Sequence, residues 1–231
     1  MNIALRGGHT EKATGSSLLI NELKADRLVY KSVMKYLKQG GADVIDVTPP
    51  ENTPYPQELN YGIAKANKLG VDLFASIHFN NFYNKEVKSG MGSEVWVYDK
   101  PFGEATRTVN NLASLGFKNR GVKSMVSEGR SLGELKNTKM KAMIVEVCFV
   151  ESREDFNIFK NKGYDLIGKK IAEGILNKSI STTHENSSGS SSGFYRVVVA
   201  SYKDKNNANK MKDELIKKGY KDTFLVYEKG V

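Results

Sequence analysis

Val71-Asp72-Leu73-Phe74-Ala75-Ser76-Ile77-His78 is the stretch that decides the fold. It is a short, mostly apolar run that ends on a histidine and then passes into the polar sequence 80–92. Two other runs have the same form. Met1-Asn2-Ile3-Ala4-Leu5 leads through Gly7-Gly8 to His9, and Ala142-Met143-Ile144-Val145 leads to Glu146. Short apolar runs closed by polar residues read as parallel strands buried on both faces. Residues 42–47 and 93–98 are further strands, the latter alternating Val95 and Val97 with Glu94 and Trp96.

Helical patterns fall between these strands. In 21–39, Leu23, Tyr30, Val33, Met34 and Leu37 follow helical spacing and Gly40-Gly41 stops the run. Residues 57–69 form a second helix closed by Gly70, and 101–115 and 151–178 read as two more. The Pro-rich stretch 48–56 and the region around Gly129 read as loops. Strands alternating with helices predict an α/β domain: a mostly parallel twisted sheet flanked by helices on both faces.

Composition separates a second region. Residues 179–193 are rich in serine and glycine, including Ser187-Ser188-Gly189-Ser190-Ser191-Ser192-Gly193, and read as a flexible linker. Beyond it, 194–201 is a strand, 206–218 a helix with Ala208, Met211, Leu215 and Ile216 at core spacing, and 223–227 a final strand. This small C-terminal βαβ module is marginal alone and needs a partner surface. The expected organisation is a catalytic domain at 1–178, a linker at 179–193 and the module at 194–231.

The whole chain has 231 residues, 39% apolar and 26% charged, with a formal charge of +9. That charge suits an acidic partner such as nucleic acid, anionic lipid or an anionic wall polymer. The single cysteine, Cys148, excludes an internal disulfide and a cysteine-rich metal cluster. No run has the length of a transmembrane helix, and the first residues lack the form of a signal peptide. Synthesis in the cytoplasm without membrane insertion is therefore expected, with any export by another route.

Ligands of open parallel sheets bind beyond the carboxyl ends of the strands. If the strands are neighbours, His9, His78 and Glu146 converge there. A catalytic zinc takes three protein ligands from His, Glu or Asp and keeps a fourth position open. Glu22 lies seven residues before Val29 and eleven before Val33, so it shares their inward stripe and is a third ligand beside the two histidines. Alone, it would read as a carboxylate favouring a helix N-terminus.

Glu146 interrupts the most apolar strand of the chain. An unpartnered carboxylate there costs several kcal/mol, so it is either a proton-transferring base or half of a salt bridge to a cation such as Arg153. Cys148, two residues on, shares that face, and a cysteine hydrolase pairing it with His78 is conceivable. Free cysteines are mostly buried and inert, however, and a structural role is expected. His184, in the linker, is expected at solvated surface.

In order, Gly8-His9, Glu22, Ser76-Ile77-His78-Phe79-Asn80 and Val145-Glu146-Val147-Cys148-Phe149-Val150-Glu151-Ser152 resemble the motifs of the zinc-dependent N-acetylmuramoyl-L-alanine amidases, the Amidase_3 family. The resemblance spans roughly residues 1–178. It implies hydrolysis of the amide between the lactyl group of N-acetylmuramic acid and L-alanine of the peptidoglycan stem peptide. By position it makes His9, Glu22 and His78 ligands of one Zn2+ and Glu146 the catalytic glutamate.

Some residues depart from the family pattern. Leu5-Arg6-Gly7-Gly8-His9-Thr10 lacks the acidic residue and extra glycines common around the first histidine. Cys148 and Ser152 stand where a glycine and an asparagine are usual. Tyr195-Arg196-Val197-Val198-Val199-Ala200-Ser201-Tyr202 and its helix are similar to the beginning of a SPOR-type peptidoglycan-binding module. Such modules have two βα-containing halves and one follows here, so a homodimer pairing two half-modules is expected.

The mechanism implied is metal-assisted amide hydrolysis, with loops 80–92 and 127–138 flanking the groove and Asn80 and Arg130 touching substrate. The partners expected are peptidoglycan and, from the charge, anionic wall polymers. Action on the wall would follow holin-type release or cell lysis, as for a phage endolysin or an autolysin. Two other readings stand beside it. A non-catalytic wall-binding protein with the same fold is disfavoured by the presence of all four key residues. A nucleic-acid binder would need a basic motif interleaved with aromatics, and none is evident.

Overall fold

The computed structural model describes residues 1–181 and 202–220. The chain divides into two compact units, Met1–Thr182 and Thr183–Val231. In the first, β1 (Asn2–Gly7), β2 (Asp43–Asp46), β3 (Leu73–Asn80), β4 (Ser93–Val97), β5 (Asn119–Ser124) and β6 (Lys141–Phe149) form one sheet ordered β2-β1-β3-β6-β4-β5. β2, β1, β3 and β6 run parallel, while β4 is antiparallel to β6 and carries β5 parallel to itself.

Helices cover both faces. Under α1 (Glu22–Gln39), α3 (Gly103–Ala113) and α5 (Arg153–Leu176) lie Ile3, Leu5, Leu73, Ala75, Ile77, Met143 and Val145, with Val29, Val33, Leu112 and Ile171 from the helices. The intervening strand residues Ala4, Phe74, Ala142 and Ile144 face the other way, onto Ala66 of α2 (Gln57–Leu69) and Leu135 of α4 (Gly133–Asn137). Side chains alternate across a strand, so covering both faces makes every position apolar. Each large aliphatic chain buried this way stabilises the fold by about 1.5–3 kcal/mol.

Local signals act as read. Asn21 caps α1 by accepting from Lys24 N at 3.0 Å, and Ser152 caps α5 by accepting from Asp155 N at 3.1 Å. Gly70 ends α2 at φ 61°, a left-handed conformation suited to glycine. α5 is broken at Gly163, whose φ is 74°.

Three features differ from the sequence reading. The stretch read as loop around Gly129 is flanked by β5 and α4: β5, Asn-Arg-Gly-Val-Lys-Ser, has no apolar run, and α4, five residues long, is too short to show periodicity. The alternation in β4 suggests a strand with one wet face, yet all five of its residues are buried because β4 lies inside the sheet between β6 and β5. Buried Glu94 tolerates this by accepting from Asn80 Nδ2 at 2.7 Å, Trp96 Nε1 at 2.8 Å and Arg120 Nε at 2.7 Å. Finally, the first unit extends past Lys178, and Ile180 is buried against its core.

In the second unit α6 (Lys205–Lys217) is capped by Asp204, which accepts from Asn207 N at 2.9 Å. Ala208, Met211 and Leu215 are half-buried and Ile216 is exposed. The strands expected at 194–201 and 223–227, and His184, lie outside the described residues.

Candidate metal centre

Register places the site. β3 pairs with β6 so that His78 lies opposite Glu146, and β1 pairs with β3 so that Gly7 lies opposite Ile77. Gly8 N then donates to Ile77 O at 3.0 Å, and the next residue, His9, leaves the sheet beside His78. A Cβ on Gly8 would stand 2.5 Å from His78 Cε1, so the histidines can approach only past a glycine. Glu22, first residue of α1, points back to the same place.

Three donor atoms result. His9 Nε2 is 3.0 Å from Glu22 Oε1 and 3.2 Å from His78 Nδ1, and His78 Nδ1 is 3.4 Å from Glu22 Oε1. Ligands about 2.0–2.1 Å from a tetrahedral zinc are ~3.3 Å apart, so the triangle already has the spacing one such ion needs.

The remaining atoms of the triad are held by the fold. His9 Nδ1 donates to Ala13 O at 3.0 Å, leaving Nε2 as the lone-pair nitrogen. Glu22 Oε2 accepts from Ser16 N at 2.7 Å and Oε1 from Phe79 N at 3.1 Å. His9 itself sits at φ 58°, a left-handed position that costs a non-glycine residue energy. Arg27 holds that turn, donating to Gly8 O at 2.7 Å and to His9 O at 2.5 Å.

Electrostatics favour a cation. Burial pushes the Glu22 carboxyl up, but hydrogen bonds from His78 and His9 outweigh it and leave the group well below the usual carboxylate range. Burial pulls His78 down, yet bonds to Glu134 and Glu22 raise it well above an ordinary histidine. Both shifts have the sign of a pocket that favours positive charge.

Glu146 behaves differently. Its Oε2 is buried without a hydrogen-bond partner among the described residues. Burial raises its pKa to about 8; His78 opposes this, and the charges of Glu22, Glu94 and Glu134 add to it. The salt bridge to Arg153 weighed from sequence does not form, because Arg153 is bidentate to Glu86 at 2.8 and 2.9 Å. Cys148 is fully buried, and burial followed by the Asp155 charge holds its thiol well above the ordinary value, far from a thiolate.

The two expected substrate contacts are not among the residues lining the cleft beside the triad. That cleft, about 510 Å³, is lined by His9, His78, Thr14, Tyr55, Leu59 and the buried acids Glu58 and Glu134, among others. Asn80 is tied to Glu94, and Arg130 stands 5.1 Å over the Trp96 ring. Sequence reading missed Asp26, Glu134 and Glu151. Asp26, one turn along α1 from Glu22, is 0% exposed with neither carboxylate oxygen hydrogen-bonded among the described residues. Glu151 is buried and accepts from Phe82 N at 2.7 Å and Tyr83 N at 2.9 Å, holding up two exposed aromatic rings in edge-to-face contact.

An α/β sheet with a His-Glu-His group that could hold a metal ion at its parallel strand ends, and a protonatable glutamate beside it, defines the class. Residues 3–177 match the Amidase_3 model, N-acetylmuramoyl-L-alanine amidase, and the chain belongs to that family. Residues 191–231 match the SPOR domain model. An uncharacterised protein of Clostridium perfringens is 46% identical over 187 residues, covering 78% of this chain and 53% of its own length. The sporulation-specific N-acetylmuramoyl-L-alanine amidase of Bacillus subtilis is 25% identical over 95% of this chain and 81% of that protein. The catalytic domain of the CD27L endolysin targeting Clostridia Difficile superposes with a TM-score of 0.69 at 30% identity, over 78% of this chain and 99% of that one. The chain spans about half the length of the first Clostridium perfringens relatives it matches.

Proposed function

We propose that the chain is a peptidoglycan hydrolase that cleaves the amide between N-acetylmuramic acid and L-alanine, with one zinc ion held by His9, Glu22 and His78. The observation that carries this reading is the donor triangle of 3.0, 3.2 and 3.4 Å beside Glu146, whose Oε2 is buried without a hydrogen-bond partner among the described residues. When bound, zinc supplies Lewis acidity toward the scissile carbonyl and the attacking water. Glu146 takes the proton of that water and returns it to the departing L-alanine nitrogen. Its raised pKa favours return of the proton to the leaving nitrogen, and a zinc ion held by the triad would draw that pKa down, toward the form that accepts a proton. Arg27 and Ala13 keep His9 aimed, so the ligands are in place before substrate arrives.

Digestion of purified peptidoglycan by the wild type and Glu146→Gln, followed by mass spectrometry of the new ends, tests the chemistry. Free L-alanine amino termini from the wild type alone are expected; new reducing sugar ends would refute the assignment. Loss of activity on chelation and its return with zinc tests the metal.

The SPOR match supports wall binding by residues 191–231, and the charge of +9 supports attraction to anionic wall polymers. Homodimerisation through that module predicts a two-chain mass in light scattering, and a one-chain mass refutes it. Among the described residues no helix is long and apolar enough to cross a membrane. Action on the wall after release from the cell, in the manner of an endolysin or autolysin, fits the relatives.

A further inference from the structure

On the side of His78 away from the other two ligands lies a chain of buried charge. Arg6 of β1, 1% exposed, forms ion pairs with two carboxylates: Glu58 of α2 and, at 2.7 Å from Nη1, Oε1 of Glu134 on α4. The second oxygen of Glu134, Oε2, is 3.4 Å from His78 Nε2. Ser76 Oγ is 2.9 Å from the same nitrogen, and the Ser76 side chain also hydrogen-bonds Glu134.

One guanidinium needs one carboxylate, and Glu58 already supplies it. A second buried carboxylate costs several kcal/mol unless it meets another donor or cation. The Glu134 oxygen turned away from Arg6 is left to the Ser76 hydroxyl and to His78 Nε2, at 3.4 Å. Arg6, Glu58 and Glu134 together carry one net negative charge directly behind the ligand. With Ser76 and Glu134 accepting on the Nε2 side, the imidazole keeps its hydrogen there and turns the Nδ1 lone pair toward His9 Nε2 and Glu22 Oε1.

We propose that Glu134 is a positioning residue for the metal centre: anchored on Arg6, it fixes the tautomer and direction of His78 so that Nδ1 binds the cation. The inference rests on the metal reading above. Glu134 acts through His78, not on the reacting atoms, and Arg6 and Glu58 anchor it.

Glu134→Gln keeps size and shape but replaces one acceptor by an NH2 group. That group must face either Arg6 or His78 Nε2–H, a donor against a donor. Zinc affinity of the full chain, measured by competition with a chromophoric chelator, reads the effect independently of catalysis. A folded variant, checked by circular dichroism of the zinc-free protein, is expected to bind zinc ~10–100-fold more weakly than the wild type. Affinity within twofold of wild type would overturn the proposal.

If the variant does not fold, 15N NMR of the wild-type zinc complex decides, since the sequence has three histidines to assign. Hydrogen on His78 Nε2 and metal on Nδ1 are expected, and the reverse would overturn the proposal. Failure of the wild type to bind zinc at all would instead strike the metal reading beneath it.

Discussion

Asp26 offers a direct test of how this site was built. The carboxyl is 0% exposed, neither oxygen has a hydrogen bond among the described residues, and Arg27 Nη1 stays 3.9 Å away. Burial pushes its pKa from 3.8 up to about 8; His78 and Arg27 pull the other way and Glu22 adds to the rise. A carboxyl whose folded pKa is raised contributes stability that is fully present below about pH 4 and is lost as pH climbs toward 8. Over that window the native state binds more protons than the unfolded chain, so zinc-free stability falls by ~1.4 kcal/mol per pH unit on this account, on the order of 5 kcal/mol in all.

Asp26→Asn removes the titration while keeping the shape. The expected result in zinc-free protein is near-equal stability at pH 4 and a variant more stable than wild type by on the order of 4–6 kcal/mol at pH 9. Glu146 titrates in both proteins and cancels in the difference. Urea denaturation followed by circular dichroism at several pH values measures it. A stability difference that does not change with pH would refute the reasoning, because Asp26 would then be ionised and partnered throughout.

Other expectations are as direct. Glu146→Gln should lower kcat by ~10²–10⁴-fold while zinc stoichiometry stays unchanged, by turnover and metal analysis; lost stoichiometry would make Glu146 a ligand instead. Gly15 sits at φ 68° and a Cβ there would collide with Glu22 Oε2 and lie 2.7 Å from His9 Nε2, so Gly15→Ala should weaken zinc binding in a chelator titration. Wild-type affinity in that variant would count against the packing described. Glu151→Gln should cost about 1–3 kcal/mol and speed tryptic cleavage at Lys85 and Lys88, since Glu151 secures the Phe82–Tyr83 backbone. Unchanged cleavage would show that the loop is held elsewhere.

The sheet was legible because its central strands are buried on both faces and leave continuous apolar runs with abrupt polar ends. The triad was legible because those ends carry histidines, and the helix period placed Glu22 on the inner stripe. What stayed hidden has a common cause. Glu134 sits on a helix of five residues, and Asp26 reads as an ordinary polar position in an amphipathic helix. Glu151 looks like a surface acid beside a helix start. Each takes its meaning from residues 50 or more positions away, and spacing along the chain carries no trace of that. Asn80 and Arg130 also have partners that spacing does not show, Glu94 for the first and the Trp96 ring for the second.

The donor triangle has one more implication. His9 Nδ1, His78 Nε2 and both Glu22 oxygens are engaged by groups outside the triad, which hold the three inward atoms at liganding distance of one another. A ligand set fixed by the surrounding fold in this way is expected to lose little ordering entropy on binding a cation, so that loading and folding would be separable events. On the proposed metal reading, a metal-stripped preparation would be a dormant, intact reserve, and the free cation concentration of its surroundings would control how much of that reserve is awake.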